Sequence, residues 1–79
     1  MVSEAQLRTI IAEAVPTIDA AKLPADVAFA DSGIDSLDYA AILLALQERH
    51  GLVVPDEDLS RTASIAGILA YAAEHRSDA

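Results

Sequence analysis

The chain has 79 residues, no cysteine and a net charge of −8 at pH 7. This length predicts one small domain, residues 1–79 with an ordered core of about residues 3–75. The missing cysteines exclude a disulfide framework and thiol chemistry by the polypeptide itself. The negative charge disfavours nucleic acid and favours basic partners. Because neither a long apolar run nor a basic, apolar leader is visible, we expect no membrane span, no secretory signal and a cytoplasmic location. We also expect a monomer.

The first predicted element is an amphipathic helix near the N-terminus. Hydrophobic residues make up 53% of the chain and 17 of the residues are alanine, which favours helices over sheets. Ser3 and Gln6 form a capping-box pattern, and the helix should end before Pro16. Its core positions follow the helical repeat: Leu7, Ile10, Ile11 and Ala14.

A long loop should follow, over residues 16–34. Pro16, Pro24 and Gly33 interrupt this segment, and no helical or strand period is sustained in it. A structureless connection of this length is unusual in a compact domain, so it needs internal anchors. The candidates are Ile18, Leu23, Val27 and Phe29.

The second helix is predicted over residues 36–50. Asp35 is its expected N-cap and Gly51 its expected stop. The helix carries two apolar stripes, of which one should be core and the other partly exposed. The first contains Tyr39, Ile42, Leu43, Leu46 and His50, and the second contains Leu37, Ala40, Ala41 and Leu44.

The last third of the chain predicts a connector and two further helical pieces. Residues 52–55 are read as an extended connector and residues 56–61 as a short helical turn with Leu59 pointing inward. Ser64 should cap a final helix, and residues 76–79 should form a frayed tail. The final helix repeats the core spacing at Ile65, Ile68, Leu69 and Ala72. The fold class is therefore all-α: three principal helices plus one short helix.

Ser36 offers a hydroxyl in the first turn of the second helix, but two kinds of active chemistry fail there. A serine nucleophile needs a nearby base, yet His50 lies roughly 20 Å along the same helix and His75 is near the C-terminus. A calcium loop with Gly33 at its sixth position would need an acid where Tyr39 stands. We therefore expect no catalytic residues, no metal site and no intrinsic enzymatic activity.

The stretch Gly33-Ile34-Asp35-Ser36-Leu37, followed by an apolar helix and by residues 51–56, resembles the acyl carrier protein family and its peptidyl-carrier relatives. The resemblance covers about residues 3–74 and implies a small four-helix bundle. It implies a 4′-phosphopantetheine arm on Ser36, flanked by Asp35 and Leu37 and derived from coenzyme A by a phosphopantetheinyl transferase. The cargo would be an acyl or aminoacyl thioester, with a loading ligase and a downstream acyltransferase or synthase as further partners.

Several positions depart from the fatty-acid type of carrier. Further glutamates and a closing aromatic residue are usual there on the second helix, and leucine is common before the glycine of the motif. Here those places hold Ala41, Gln47, Arg49, His50 and Ser32. A dedicated carrier for an aminoacyl, short acyl or polyketide-like group is therefore favoured, with a peptidyl or aminoacyl carrier for a non-ribosomal-type ligase as the alternative. His50 is interpreted as a partly buried packing residue.

A partner surface is predicted beside Ser36. The second stripe, which contains Leu37 and Leu44, lies on the side of the helix that carries Ser36. An enzyme that admits the arm would therefore contact this stripe as well. The candidate partner-binding residues are Asp35, Leu37, Asp38, Ala41, Leu44, Glu48, Asp56 and Glu57. Branched side chains at Ile42, Leu46, Ile68 and Leu69 should keep cargo outside the bundle.

Two other interpretations of Ser36 remain open at this point. In one, Ser36 only assists the start of the helix. In the other, the segment from Asp31 to Ser36 is a phosphodegron within a helical interaction module, with Ser32 and Ser36 both phosphorylated and bound by a basic pocket.

Overall fold

Three α-helices form the body of the protein in a computed structural model that describes residues 2–75. They are α1 (Glu4–Ala14), α2 (Ser36–His50) and α3 (Ile65–Glu74). Three 3-10 helices lie in the connections, at Ala20–Lys22, Phe29–Ser32 and Asp56–Thr62. The predicted all-α bundle is confirmed, and its short fourth helix is the 3-10 helix Asp56–Thr62. The predicted tail, residues 76–79, lies outside the described residues.

The helices pack around one core. α1 contacts both α2 and α3, and the 3-10 helix Asp56–Thr62 packs on α3. Within residues 2–75, no helix is long and apolar enough to cross a membrane. Tyr71, Val2 and Val15 are buried in this core although the sequence patterns did not single them out. The completely buried apolar side chains are Leu7, Ile11, Ile42, Leu46, Ile65 and Ile68.

The first and last α-helices, α1 and α3, begin at their predicted caps. The Ser3 hydroxyl accepts the Gln6 N–H at 3.1 Å, and the Gln6 side chain accepts the Ser3 N–H at 2.9 Å, which completes the capping box. The Ser64 hydroxyl accepts the Gly67 N–H at 3.0 Å. These bonds satisfy backbone donors that have no partner inside a helix, so the predicted helix starts are confirmed.

The C-terminal end of α2 corrects the prediction for His50. Gly51 adopts the left-handed conformation with φ 67° and donates its N–H to the Gln47 carbonyl at 3.0 Å, as a helix-ending glycine does. After this turn Leu52 is 8% exposed, whereas His50 is exposed. The interpretation of His50 as a partly buried packing residue was wrong, because the chain reverses at Gly51 and brings Leu52 to the core instead.

The long connection between α1 and α2 is anchored from inside, as its length requires. Leu23 and Phe29 are buried and Ile18 packs against the core, which confirms three of the four predicted anchors. Val27 is only half-buried and lies outside the core cluster, so that anchor was wrong. The connection is also less irregular than predicted, because two 3-10 helices interrupt it.

Backbone hydrogen bonds tie this connection to the start of α3. The Phe29 N–H donates to the Ala63 carbonyl at 2.7 Å, and the Ala66 N–H donates to the Ala25 carbonyl at 2.7 Å. On the opposite side, the Arg8 guanidinium donates to the carbonyls of Ala20 at 2.7 Å and Leu23 at 2.9 Å. These bonds hold the connection at four positions between residues 20 and 29, which limits the movement of the residues that precede α2.

Candidate functional site

Ser36 is presented by a tight turn and a helix start. Gly33 lies at φ 86°, a left-handed conformation that side chains other than glycine rarely adopt, and it reverses the chain after the 3-10 helix. Asp35 then caps α2, accepting the Asp38 N–H at 2.8 Å. The predicted N-cap is confirmed. Ser36 follows as the first residue of α2 with its side chain exposed.

Within the described part of the chain, the fold uses the hydroxyls of several other serines but not that of Ser36. The hydroxyls of Ser3 and Ser64 cap helices, and the Ser32 hydroxyl donates to the Ala28 carbonyl at 3.3 Å. Within residues 2–75, the Ser36 hydroxyl makes no side-chain or backbone hydrogen bond of this kind. Since Asp35 already caps α2, Ser36 can be modified without removing a contact that holds the helix.

The surroundings of Ser36 combine a helix N-terminus with carboxylates. Backbone N–H groups at the start of α2 favour an anionic group such as a phosphodiester. Asp35 and Asp38 flank the first turn, and Asp56 lines a groove that also borders Ser36. The surface is therefore acidic, which favours basic proteins over anionic ones as partners.

Two grooves meet at Ser36. The loop-side groove, of about 130 Å³, lies between the end of the long connection and the start of α2. Its lining is Ala28, Phe29, Ala30, Ile34, Asp35, Ser36, Tyr39 and Ala63. The connector-side groove, of about 450 Å³, runs along α2 and faces the segment that follows it. Its lining is Ser36, Tyr39, Ala40, Leu43, Leu44, Gln47, Val54, Asp56 and Leu59.

Tyr39 borders both grooves and is held by hydrogen bonds. Its hydroxyl lies 2.9 Å from the Leu59 carbonyl oxygen and 3.1 Å from that of Thr62, and it also contacts the Thr62 hydroxyl. Thr62 is completely buried, and its hydroxyl reaches the Leu59 carbonyl at 3.1 Å. The Tyr39 and Phe29 rings pack with centroids 5.9 Å apart. This arrangement, the Tyr39–Thr62 clasp, fixes the start of α2 against the 3-10 helix Asp56–Thr62.

The sequence patterns missed the clasp. They placed Tyr39 in the core stripe and Leu59 inward, but both side chains are half-buried, and Thr62 was not singled out. A tyrosine in an apolar stripe was the available signal, because its hydroxyl needs a partner once the ring is packed. Nothing in residues 59–62 indicates which partner it finds, since the two acceptor carbonyls belong to the backbone.

A second polar cluster lies away from Ser36 and joins the 3-10 helix Asp56–Thr62 to α3. The Tyr71 hydroxyl donates to the Asp58 carboxylate at 2.7 Å, and this hydrogen bond raises the pKa of Tyr71. Arg61 pairs with Glu74 and lies over the Tyr71 ring, 5.1 Å from its centroid. The cluster holds the 3-10 helix through Asp58 and Arg61, whereas the Tyr39–Thr62 clasp holds it through Leu59 and Thr62.

The predicted partner residues are accessible. Leu37 is 81% exposed and Leu44 57% exposed, so Leu44 is not a core residue. Asp38 is half-buried. The other members of the predicted set are exposed: Asp35, Ala41, Glu48, Asp56 and Glu57.

A comparison with known protein families gives a match that includes the region around Ser36. Over residues 5–72, the sequence matches the family described as "Phosphopantetheine attachment site". This match covers most of the chain and includes the turn before Ser36, all of α2, and α1 and α3 except for one or two terminal residues. The match indicates a phosphopantetheine-binding carrier domain.

The relatives give the narrower class. Two proteins called "Acyl carrier protein", from Helicobacter pylori strains G27 and HPAG1, are each 30% identical to this chain over 71 residues. Each alignment covers 89% of this chain and 90% of the relative. The chain therefore belongs to the acyl carrier protein family, whose prosthetic group is 4′-phosphopantetheine. The Ser36 hydroxyl, exposed at a helix N-terminus and without a hydrogen bond to another part of residues 2–75, fits the attachment of such a group.

Proposed function

We propose that this protein carries the 4′-phosphopantetheine arm on Ser36 and presents an acyl or aminoacyl thioester to the enzymes of a dedicated biosynthetic pathway. The observation that carries the proposal is the free Ser36 hydroxyl at the start of α2, beside a cap supplied by Asp35. The protein would be a substrate and a shuttle, with the catalytic groups supplied by its partners.

Loading by a phosphopantetheinyl transferase needs little from the carrier. The Ser36 oxygen attacks the pyrophosphate of coenzyme A, and a phosphodiester bond to Ser36 forms. The pyrophosphate bond breaks, the adenosine bisphosphate portion leaves, and the hydroxyl proton passes to a base of the transferase. The helix N-terminus favours the phosphodiester charge that remains on the carrier. The arm supplies the thiol that the chain lacks, and tethering the thioester raises its effective concentration at each enzyme.

The exposed face of α2 supports the proposed docking surface. Leu37 and Leu44 are the large apolar side chains exposed on this helix, with Ala41 between them. An apolar patch rimmed by carboxylates is typical of a surface that binds a basic partner: the charges guide approach, and burial of the leucines fixes the fit. The proposed rim comprises Asp35, Asp38, Glu48, Asp56 and Glu57.

The cargo is proposed to stay outside the bundle. Ile42, Leu46 and Ile68 are completely buried and in contact within one core cluster. A chain inserted between α2 and α3 would have to displace these close-packed side chains. Short or polar cargo, which gains little from burial, is therefore favoured over a long fatty acyl group.

Incubation with coenzyme A and a broad-specificity phosphopantetheinyl transferase, followed by intact-mass measurement, tests the attachment. We expect one added phosphopantetheine mass on the wild-type protein and none on Ser36→Ala. The matched control is Ser32→Ala, which lies in the same turn and should be modified like the wild type. Modification that persists in Ser36→Ala would refute the assignment.

Intact-mass measurement of the protein isolated from cells tests the phosphodegron alternative. Two added phosphates in cells, at Ser32 and Ser36, would support it. Ser32 lies in the 3-10 helix Phe29–Ser32 and its hydroxyl is bonded to the Ala28 carbonyl. A kinase would have to break that bond and unfold the turn, which favours the carrier function.

A further inference from the structure

The loop-side groove is the smaller and the more apolar of the two grooves at Ser36. Three alanines, Ala28, Ala30 and Ala63, line it together with Phe29 and Tyr39. Because each alanine contributes only a methyl group, these positions fill little of the groove. The polar members of the lining, Asp35 and Ser36, lie at the point where the groove meets the start of α2.

We infer that this groove is a binding site for the branched, dimethyl-bearing segment of the phosphopantetheine arm, and that it holds the first part of the arm while no enzyme is bound. The inference rests on the proposed attachment at Ser36. The occupant follows from the tether: a short phosphodiester link separates the dimethyl carbon from the serine oxygen. Bonds of about 1.5 Å keep that carbon within roughly 5 Å of the Ser36 oxygen, whatever the rest of the arm does.

Size and polarity favour this groove over the connector-side groove. An apolar cavity of about 150 Å³ is large enough for benzene, so a groove of about 130 Å³ accepts a branched carbon with two methyl groups. A long acyl chain would not fit. The connector-side groove is larger, at about 450 Å³, and more polar, because Gln47 and Asp56 line it, so a small apolar group fills less of it.

The residues that shape the groove are held firmly. The Phe29 N–H bonds to the Ala63 carbonyl at 2.7 Å, which fixes the two sides of the groove relative to one another. The Tyr39–Thr62 clasp fixes the ring that separates this groove from its neighbour. A preformed apolar site costs little ordering of the protein when it is filled.

Nuclear magnetic resonance of the loaded protein, with the arm free of cargo, tests the inference. In the wild type, the two methyl signals of the arm should be shifted from their positions in coenzyme A, because the ring currents of Phe29 and Tyr39, which line the groove, act on nearby protons. They should also show contacts to the methyl groups of Ala30 and Ala63. Ala30→Leu fills the groove and should return the signals to the coenzyme A positions. Ala40→Leu is the matched control, since Ala40 is also exposed but lines the connector-side groove.

Three results would overturn the inference. The first is that the methyl signals of the wild type stay at the coenzyme A positions. The second is that the arm's methyl groups contact Leu44 or Leu59 instead of Ala30 and Ala63. The third is that Ala40→Leu returns the signals to the coenzyme A positions and Ala30→Leu does not. Intact mass measured on the same samples separates this inference from the proposed function. An added arm with free methyl signals refutes only the groove, whereas a missing arm refutes both. Circular dichroism checks that each variant is folded.

Discussion

The two sides of α2 are both apolar, yet only one of them is buried. Ile42 and Leu46 have no exposed surface, whereas Leu37 and Leu44 are 81% and 57% exposed on the same helix. The presence of leucine does not distinguish the sides, because both carry it. The difference lies in position: one side faces α1 and the core, and the other begins at Ser36. An exposed apolar patch that the fold does not need supports the proposed docking surface.

The largest expected effect comes from truncating one leucine on each side. Leu46→Ala leaves a cavity in the core and should lower the free energy of unfolding by about 2–5 kcal/mol. Leu44→Ala should change it by only about 0.5 kcal/mol, because the side chain is largely in water. Urea denaturation followed by circular dichroism measures both. If Leu46→Ala is too unstable to measure, Ile42→Val should cost about 0.5–1.5 kcal/mol. Equal losses at Leu44 and Leu46 would contradict the two-sided description of α2.

A charge on the exposed side should damage function and spare the fold. Burying a leucine against a partner is worth about 1.5–3 kcal/mol, so Leu44→Asp should slow transfer to the cognate enzyme by about tenfold to a hundredfold. Ala41→Glu should act in the same direction through steric and desolvation cost. A transfer assay beside circular dichroism gives the measurement.

The control for this prediction is Val53→Asp. Val53 is 60% exposed, like Leu44, but lies on the connector after α2. Its variant should therefore transfer normally. A folded Leu44→Asp protein with undiminished transfer would exclude this side of α2 as the docking surface, and a similar loss in Val53→Asp would mean that added charge alone is responsible.

Tyr39 lies where the two sides of α2 meet, and its hydroxyl gives a smaller effect. Tyr39→Phe keeps the ring but removes the hydrogen bonds to residues 59–62, which should cost about 1 kcal/mol of unfolding free energy. Tyr71→Phe, which loses the bond to Asp58, is the control and should cost a similar amount. Only Tyr39→Phe should also shift amide signals at Ser36 and in the two grooves. Identical shifts in the two variants would mean that the Tyr39–Thr62 clasp does not position Ser36 or the two grooves.

Local signals in the sequence were enough to predict the helices and their caps. Ser3, Asp35, Ser64 and Gly51 act on the residues beside them, so their roles can be read without the rest of the chain. The motif around Ser36 likewise lies within one turn and gave the candidate attachment residue, which stays a prediction. The family and its prosthetic group could be predicted because the resemblance extends over about residues 3–74.

The parts that were missed depend on distant contacts. Tyr39 and Thr62 are far apart in the chain, and one of the bonds between them uses a backbone carbonyl that has no sequence signature. His50 fitted the helical repeat of the core stripe, but the reversal at Gly51 allows Leu52 to be buried instead. Val27 was apolar and centrally placed, yet its neighbours supply the anchors. In each case the three-dimensional path of the chain decides burial, and local periodicity does not contain it.

The smallest expected effects come from two charged residues of α2 that are neighbours in the sequence, Glu48 and Arg49. Arg49 forms an ion pair with Glu13 of α1 and lowers the pKa of Glu13, first through their hydrogen bond and then through the opposite charge. A carboxyl whose pKa is lower in the folded state stabilises the fold above its unfolded pKa, and this contribution is lost as the pH falls through the folded value. Both side chains are exposed, so the contribution is small and is screened by salt.

Glu13→Gln should therefore lower the midpoint of urea unfolding slightly at pH 7 and low salt, and the difference from the wild type should vanish in acid. Glu48→Gln, which changes a charge on the proposed partner rim beside Arg49, is the matched variant. It should leave the unfolding midpoint unchanged and instead reduce the salt dependence of association with a basic partner, because charges at a rim act on encounter. Urea titrations at several pH values test the first variant, and association rates at two salt concentrations test the second. If Glu13→Gln lowers the unfolding midpoint equally at every pH, the ion pair with Arg49 does not explain the loss of stability. If Glu48→Gln leaves the salt dependence of association unchanged, Glu48 is not part of a rim that guides a partner.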